Sequence, residues 1–308
     1  MNFPNLHVKV CLLTSFVFCG FIGSGQYVKN VPEAFAALHS NPEVIHIENV
    51  IDVPNEEGHF QGIQLIDIAG IEKLLISGSS FTQAYILQVD LTQRKTEKLI
   101  TLMNAPYRHA GGIQVSTPFL LVGIEDNFTK TVSKVGLYSY LDANLHKAEP
   151  NSVIDRKGKV KRQTAGATGL LSFQDQYLAV VANWDSRNWD FYDVNPEKDE
   201  WELLKSFVAP DHWPSYQSIN LIKDNNAIYA IGFYQKKTFG YADLILLSKL
   251  ENFRPILEQV VTKKFLCANG ADFSTAAGLQ VDDNGKLHIW ATQRDAAVQI
   301  TVNRFSQK

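Results

Sequence analysis

Gly62-Ile63-Gln64-Leu65 decides the reading of this chain, because the phrase comes back four more times. It returns as Gly112-Ile113-Gln114-Val115, Gly169-Leu170-Leu171-Ser172, Ser218-Ile219-Asn220-Leu221 and Gly278-Leu279-Gln280-Val281. The period is roughly 50–60 residues, the size of one supersecondary unit repeated along a chain. A second apolar run follows each phrase, at 74–76, 119–122, 177–181, 227–231 and 287–291. A third follows a polar loop, at 84–89, 135–140, 189–194, 242–247 and 297–302. Short runs rich in Val, Ile, Leu and Tyr have strand length and strand composition. Connectors such as Lys223-Asp224-Asn225-Asn226 and Asp282-Asp283-Asn284-Gly285 carry residues that suit tight reversals.

A fourth strand closes the first four units, at 98–103, 152–155, 201–207 and 256–261. The fifth unit reaches Lys308 after its third run, and 44–53 reads as a strand free to complete it. These repeats resemble the five-bladed β-propeller superfamily over about residues 44–308. The resemblance implies an all-β, five-bladed β-propeller closed by an N-terminal strand, with no open edges at the seam. A short N-terminal helix is predicted within 26–43. Asn30-Val31-Pro32-Glu33 offers a cap, a proline for the first turn and an acidic residue three positions on.

The N-terminus reads as an export signal. Lys9 is followed by an uncharged apolar run, 10–22, and then by Gly23-Ser24-Gly25. The run is short for a membrane span, which needs roughly 20 residues. A lipoprotein signal would use Cys19, but Val17-Phe18 is not the small-residue context it requires. Residues 1–25 are therefore expected to be removed, and the protein to be secreted or periplasmic. Of the three cysteines only Cys267 remains, in an apolar context that suits a core position. The net charge of −3 gives no general attraction to nucleic acid, and a monomer is expected.

In the implied architecture the first strand of each unit lines a channel. Gln64, Gln114, Leu171, Asn220 and Gln280 then form one ring, either satisfying one another or meeting a ligand on the axis. Three residues before each phrase lies a second ring: His59, His109, Gly166, Ser215 and Thr275. Loops after the second strands bring Glu125, Asp126, Asn183, Asp185, Arg187, Gln293, Arg294 and Asp295 to the same face. Trp184, Trp189, Trp213 and Tyr216 are candidates for stacking on a sugar or for packing between units. His59, His109, Glu125 and Asp126 are metal-compatible residue types, but they lack a diagnostic short spacing, so no metal site and no cofactor is assigned. The basic stretch 156–162 reads as a solvated loop, and Asn127-Phe128-Thr129 matches a glycosylation acceptor.

The functional expectation is an exported binding module for a small polar ligand or glycan. Its ligand-binding residues would be His59, His109, Gln64, Gln114, Glu125, Asn183, Trp184, Gln280 and Arg294. The alternative is a hydrolase, glycoside hydrolase-like or metal-assisted, using loop carboxylates at the same face. Several sugar-cleaving families share the five-bladed architecture, and they need two carboxylates flanking the bond. The mature chain is predicted to begin at Gln26. Intact-mass measurement of the exported protein should find residues 1–25 missing, and their retention would contradict the export reading.

Overall fold

A computed structural model of the chain describes residues 26–54, 56–68, 70–140, 149–250 and 254–307. The expected leader, 1–25, lies outside the described residues. The all-β expectation holds. Helix α1 (Val31–Ala37) is the one α-helix among the described residues. It starts where its sequence predicts: the Asn30 side chain accepts from Glu33 N, and Pro32 sits in the first turn. No described helix is long and apolar enough to cross a membrane.

Strand β1 (Glu43–Glu48) comes next. Then β2 (Phe60–Ile68), β3 (Ile71–Ser79), β4 (Gln83–Asp90) and β5 (Lys95–Asn104) form an antiparallel meander. The pattern repeats in β6 (His109–Ser116), β7 (Phe119–Glu125), β8 (Val132–Ser139) and β9 (Ser152–Lys157). It repeats again in β10 (Ala167–Phe173), β11 (Gln176–Ala182), β12 (Asn188–Asn195) and β13 (Glu200–Val208). A separate sheet holds β14 (Ser218–Lys223), β15 (Ala227–Lys236), β16 (Phe239–Lys249) and β17 (Glu258–Leu266). The last run is β18 (Ala271–Val281), β19 (Leu287–Gln293) and β20 (Gln299–Ser306).

Strand β1 lies antiparallel to β20, with Ile45 opposite Val302 and Ile47 opposite Ile300. It is shorter than its sequence suggests. Asn49 N still donates to Val298 O at 2.8 Å, but its side-chain oxygen accepts from Ile51 N at 3.2 Å and from the Thr96 hydroxyl at 3.0 Å, which turns the chain away beyond it. β17 begins two residues late because Leu257, at φ 51°, cannot continue a strand.

Apolar layers fill the space between consecutive strand groups. One joins Leu75 and Ile86 to Ile113 and Val122, and another joins Leu171 and Phe191 to Ile219 and Ala230. Val31 and Phe35 of α1 complete the layer around Leu244, Phe265 and Phe305. The repeated phrase lies in the inner strands β2, β6, β10, β14 and β18, whose neighbours approach each other in parallel, Gly62 beside Ala277 and Gly112 beside Ala167. A Cβ at Gly111 would lie 2.2 Å from Gly166 O, and one at Gly278 would lie 1.9 Å from Ile63 O. Glycine therefore recurs because inner backbones touch there. Gly111 and Gly112 are closed off by backbone in this way and leave no room for a ligand.

Ile45 and Ile47 are both buried, each burial stabilising by about 1.5–3 kcal/mol. Deleting residues 26–54 strips β20 of β1 as its outer partner. The truncated protein should lose its cooperative thermal transition; a melt matching the intact domain would contradict this pairing.

Candidate functional site

The ring of channel amides has a clear structural use. Gln64 donates to Asn220 Oδ1 at 3.1 Å and accepts from Val115 N at 3.3 Å. Gln114 Oε1 accepts from Leu170 N at 2.8 Å and Leu221 N at 2.7 Å, while its Nε2 donates to Leu221 O. Asn220 donates to Ile113 O and accepts from Leu279 N. All three side chains are buried, and Gln26 reaches the same floor by donating to Val115 O. Gln280 stands apart, half-buried, accepting from Trp290 Nε1 at 3.2 Å.

At the strand ends the histidines meet. His109 opens β6 opposite Glu125, which closes β7. Antiparallel pairing brings these two ends together, as the sequence register requires. His109 Nε2 lies 3.8 Å from Glu125 Oε1, too long for a hydrogen bond. The His59 ring meets the His109 ring edge-on at 6.0 Å, and Trp184 packs on His109 at 5.2 Å.

Burial sets the chemistry of the pair. His109 is 5% exposed and Glu125 is 0% exposed. Burial drives the imidazole down to about 3, with His59 and the cations Lys130, Arg108 and Arg294 adding to the shift. Burial raises the Glu125 carboxyl to about 7, partly offset by the Ala165 N–H that donates to Oε2 at 2.7 Å. The result is a neutral imidazole beside a carboxyl poised to exchange a proton near neutrality. Glu125 Oε1 and His109 Nδ1 are both buried without a partner among the described residues. Buried polar atoms are normally satisfied, so this pair is unusual.

His59 is half-buried, its affinity for a proton lowered chiefly by burial. Nδ1 lies 2.8 Å from Phe60 O and Nε2 lies 3.0 Å from Gln61 Nε2, which fits an Nδ1–H tautomer. Asn183 is buried and ties down its own loop, donating to Lys161 O and Asp185 Oδ1 and accepting from Asn188 N. Trp184 carries His109 on its ring and Lys130 Nζ at 4.2 Å. Arg294 is exposed and lies 3.8 Å from Asp295. Trp213 and Tyr216 are buried, packed edge-on around Trp189. They belong to the core.

The other loop carboxylates are mostly engaged. Asp126 accepts from Phe128 N, Thr129 N and the Thr129 hydroxyl. Asp185 accepts from Asn183 and Arg187 N. The side chain of Asp295 remains 66% exposed. Among the described residues no group of three or more His, Cys, Asp or Glu side chains could hold a metal ion. Of the basic stretch, Arg156 and Arg162 turn inward onto Asp190 at 2.9 and 2.6 Å. The Cys267 thiol is pushed by burial up to about 11. Gln61, Arg108, Phe128 and Lys130 escaped the sequence reading. Lys130 was within its reach, five residues beyond Glu125 in one loop.

No protein-family model matches the sequence, and a search of curated proteins finds none similar to it. Solved structures do resemble it. An exo-β-1,3-galactanase variant from Phanerochaete chrysosporium, with bound β-1,3-galactotriose, matches at 6% identity and a TM-score of 0.52, over 87% of this chain and 64% of its own. The same galactanase with galactose matches at 6% and 0.50, over 85% and 63%. A GH43 β-xylosidase/α-arabinofuranosidase from a compost microbial metagenome gives 10% and 0.49, over 85% and 94%. The chain thus spans under two thirds of the galactanase's length, and 34% of a bifunctional GH43-CE protein of Bacteroides eggerthii. At such identities the likeness is one of fold, and that fold is a β-propeller.

The buried pair predicts a pH signature. The Glu125 carboxyl holds its proton more tightly folded than unfolded, so its contribution to stability is present below about 4.5 and lost as pH rises to about 7. His109 acts oppositely: its contribution is present above 6.5 and lost as pH falls towards about 3. Glu125→Gln removes only the first dependence. In urea unfolding, the variant's stability relative to wild type should rise between pH 4.5 and 7 by on the order of 3 kcal/mol. A difference constant over that window would contradict the raised carboxyl.

Proposed function

We propose that this chain is an exported five-bladed β-propeller, closed by β1 on β20, that hydrolyses glycosidic bonds at the face carrying His59, His109 and Glu125. The observation that carries the reading is Glu125: a buried carboxyl, raised to about 7, with Oε1 unpartnered and 3.8 Å from His109 Nε2. General acids are tuned in this way, so that a proton is held at working pH yet transferable. The fold likeness to proteins whose structures hold galactose or β-1,3-galactotriose supports a glycan as the ligand class.

In this reading a sugar enters over His59 and Trp184, and a rotation of the His109 ring, which stays in contact with the sugar, opens Glu125 Oε1 to its glycosidic oxygen. The Glu125 proton passes to that oxygen as its bond to the anomeric carbon breaks. Water adds to the anomeric carbon and gives up its own proton to a second carboxylate. Asp295 takes that second role, since it is exposed beside Arg294 and close enough to act electrostatically on His59. Gln64 and Gln114 hold the floor beneath the ligand, and Arg294 orients Asp295.

A glycan-binding module without hydrolysis is the second reading, favoured by the engagement of Asp126 and Asp185 within their own loops. The two readings separate on β-1,3-galacto-oligosaccharides. Under hydrolysis, wild type releases sugar, and Glu125→Gln and Asp295→Asn each slow release by about 10²–10⁴-fold. Binding by wild type with no product supports the module. His109→Ala should weaken binding at least tenfold in either case, and unchanged binding would remove this face from both.

A further inference from the structure

The rim of the site carries two cations with no carboxylate paired to them among the described residues. Arg108 immediately precedes His109 and is 5% exposed, yet no described carboxylate forms an ion pair with it. Its guanidinium lies 3.5 Å over the Phe128 ring and 4.7 Å from the Phe81 centroid, and it donates to Phe81 O at 2.6 Å. Lys130 is half-buried, with Nζ over Trp184 and likewise without a described carboxylate partner. Both cations hold onto one turn, where Lys130 N donates to Asp126 O at 2.9 Å and Phe128 stands between them in sequence. The nearby Asp126 is engaged by that same turn.

Covered charges are normally paired, because desolvation without a counter-charge is costly. Aromatic faces return part of that cost. They supply no anion. Arg in particular presents a planar fork that matches a carboxylate or an oxyanion ester. Phe128 is 64% exposed and Phe81 48% exposed, so the same rim offers open aromatic faces to a sugar ring.

We infer that the site takes acidic glycans, with a sugar carboxylate or sulfate ester seated between Arg108 and Lys130 and its ring against Phe128. This rests on the glycan reading above and names the substrate class. A neutral sugar would leave both cations unanswered, whereas an anionic one completes them.

Calorimetric titration of the purified protein tests this with three probes: β-1,3-galactotetraose, a sulfated form of it, and tetragalacturonate. At least one acidic probe should bind tenfold or more tightly than the neutral one, and which one does so separates sulfate from carboxylate. Lys130→Gln should erase that preference while changing neutral binding less than twofold, and Arg108→Gln should act likewise. Because Arg108 is covered, Lys130→Gln decides the matter if the other variant fails to fold. Inorganic sulfate gives an independent arm, raising Tm above chloride of equal ionic strength in wild type but not in Lys130→Gln. Equal or tighter neutral binding overturns the inference, as does a preference that survives Lys130→Gln. If no oligosaccharide binds yet sulfate acts as described, the anion site stands and the glycan reading falls. If sulfate is also without effect, both fall.

Discussion

Three buried amides bind the inner strands together, and the rest of the molecule is arranged around them. Inner strands that splay from an axis leave backbone groups facing a space where no complete ladder can form. Gln64, Gln114 and Asn220 answer those groups. Through Val115, Leu170, Leu221 and Leu279 they link β2, β6, β10, β14 and β18 in one network. Satisfied networks of this kind in a low-dielectric interior hold a single arrangement, because each orphaned member is expensive. The filled axis also confines any ligand to a face.

At the strand ends the same rigidity produces a strained chemical balance. Adjacent antiparallel strands force His109 and Glu125 together while the surrounding rings exclude water. Burial disfavours the charged form of each. The Ala165 N–H holds one carboxylate oxygen in place, and the other faces the imidazole beyond hydrogen-bond reach. Such incompletely satisfied polar groups on a rigid frame cost stability, and sites of binding or catalysis are where proteins retain them.

Much of this was legible in the sequence. The recurring Gly-Ile-Gln phrase marked every inner strand, and the position three residues before it put His109 at a strand start, from which Glu125 followed by pairing. The capping of α1 and the meeting of β1 with β20 could be read from Asn30, Pro32 and the run at 44–53. What escaped was environment. An Asn or Trp in a polar loop reads the same whether it contacts ligand or braces its turn, and Asn183 braces its turn. Trp213 and Tyr216 could be read either as sugar-stacking or as packing residues, and they pack on Trp189. Lys130 lies in the loop that follows Glu125 and could have been read from that, but Arg108 acquires meaning only from rings distant in sequence.

The central claim is that Glu125 carries its proton close to neutrality. Site-resolved ¹³C NMR of its side-chain carboxyl, followed from pH 4 to 9, tests this most directly. The account predicts a midpoint near 7, well above the ordinary carboxylate range near 4.5. A midpoint at that ordinary value would mean that Glu125 is hydrated and charged, and would contradict the account.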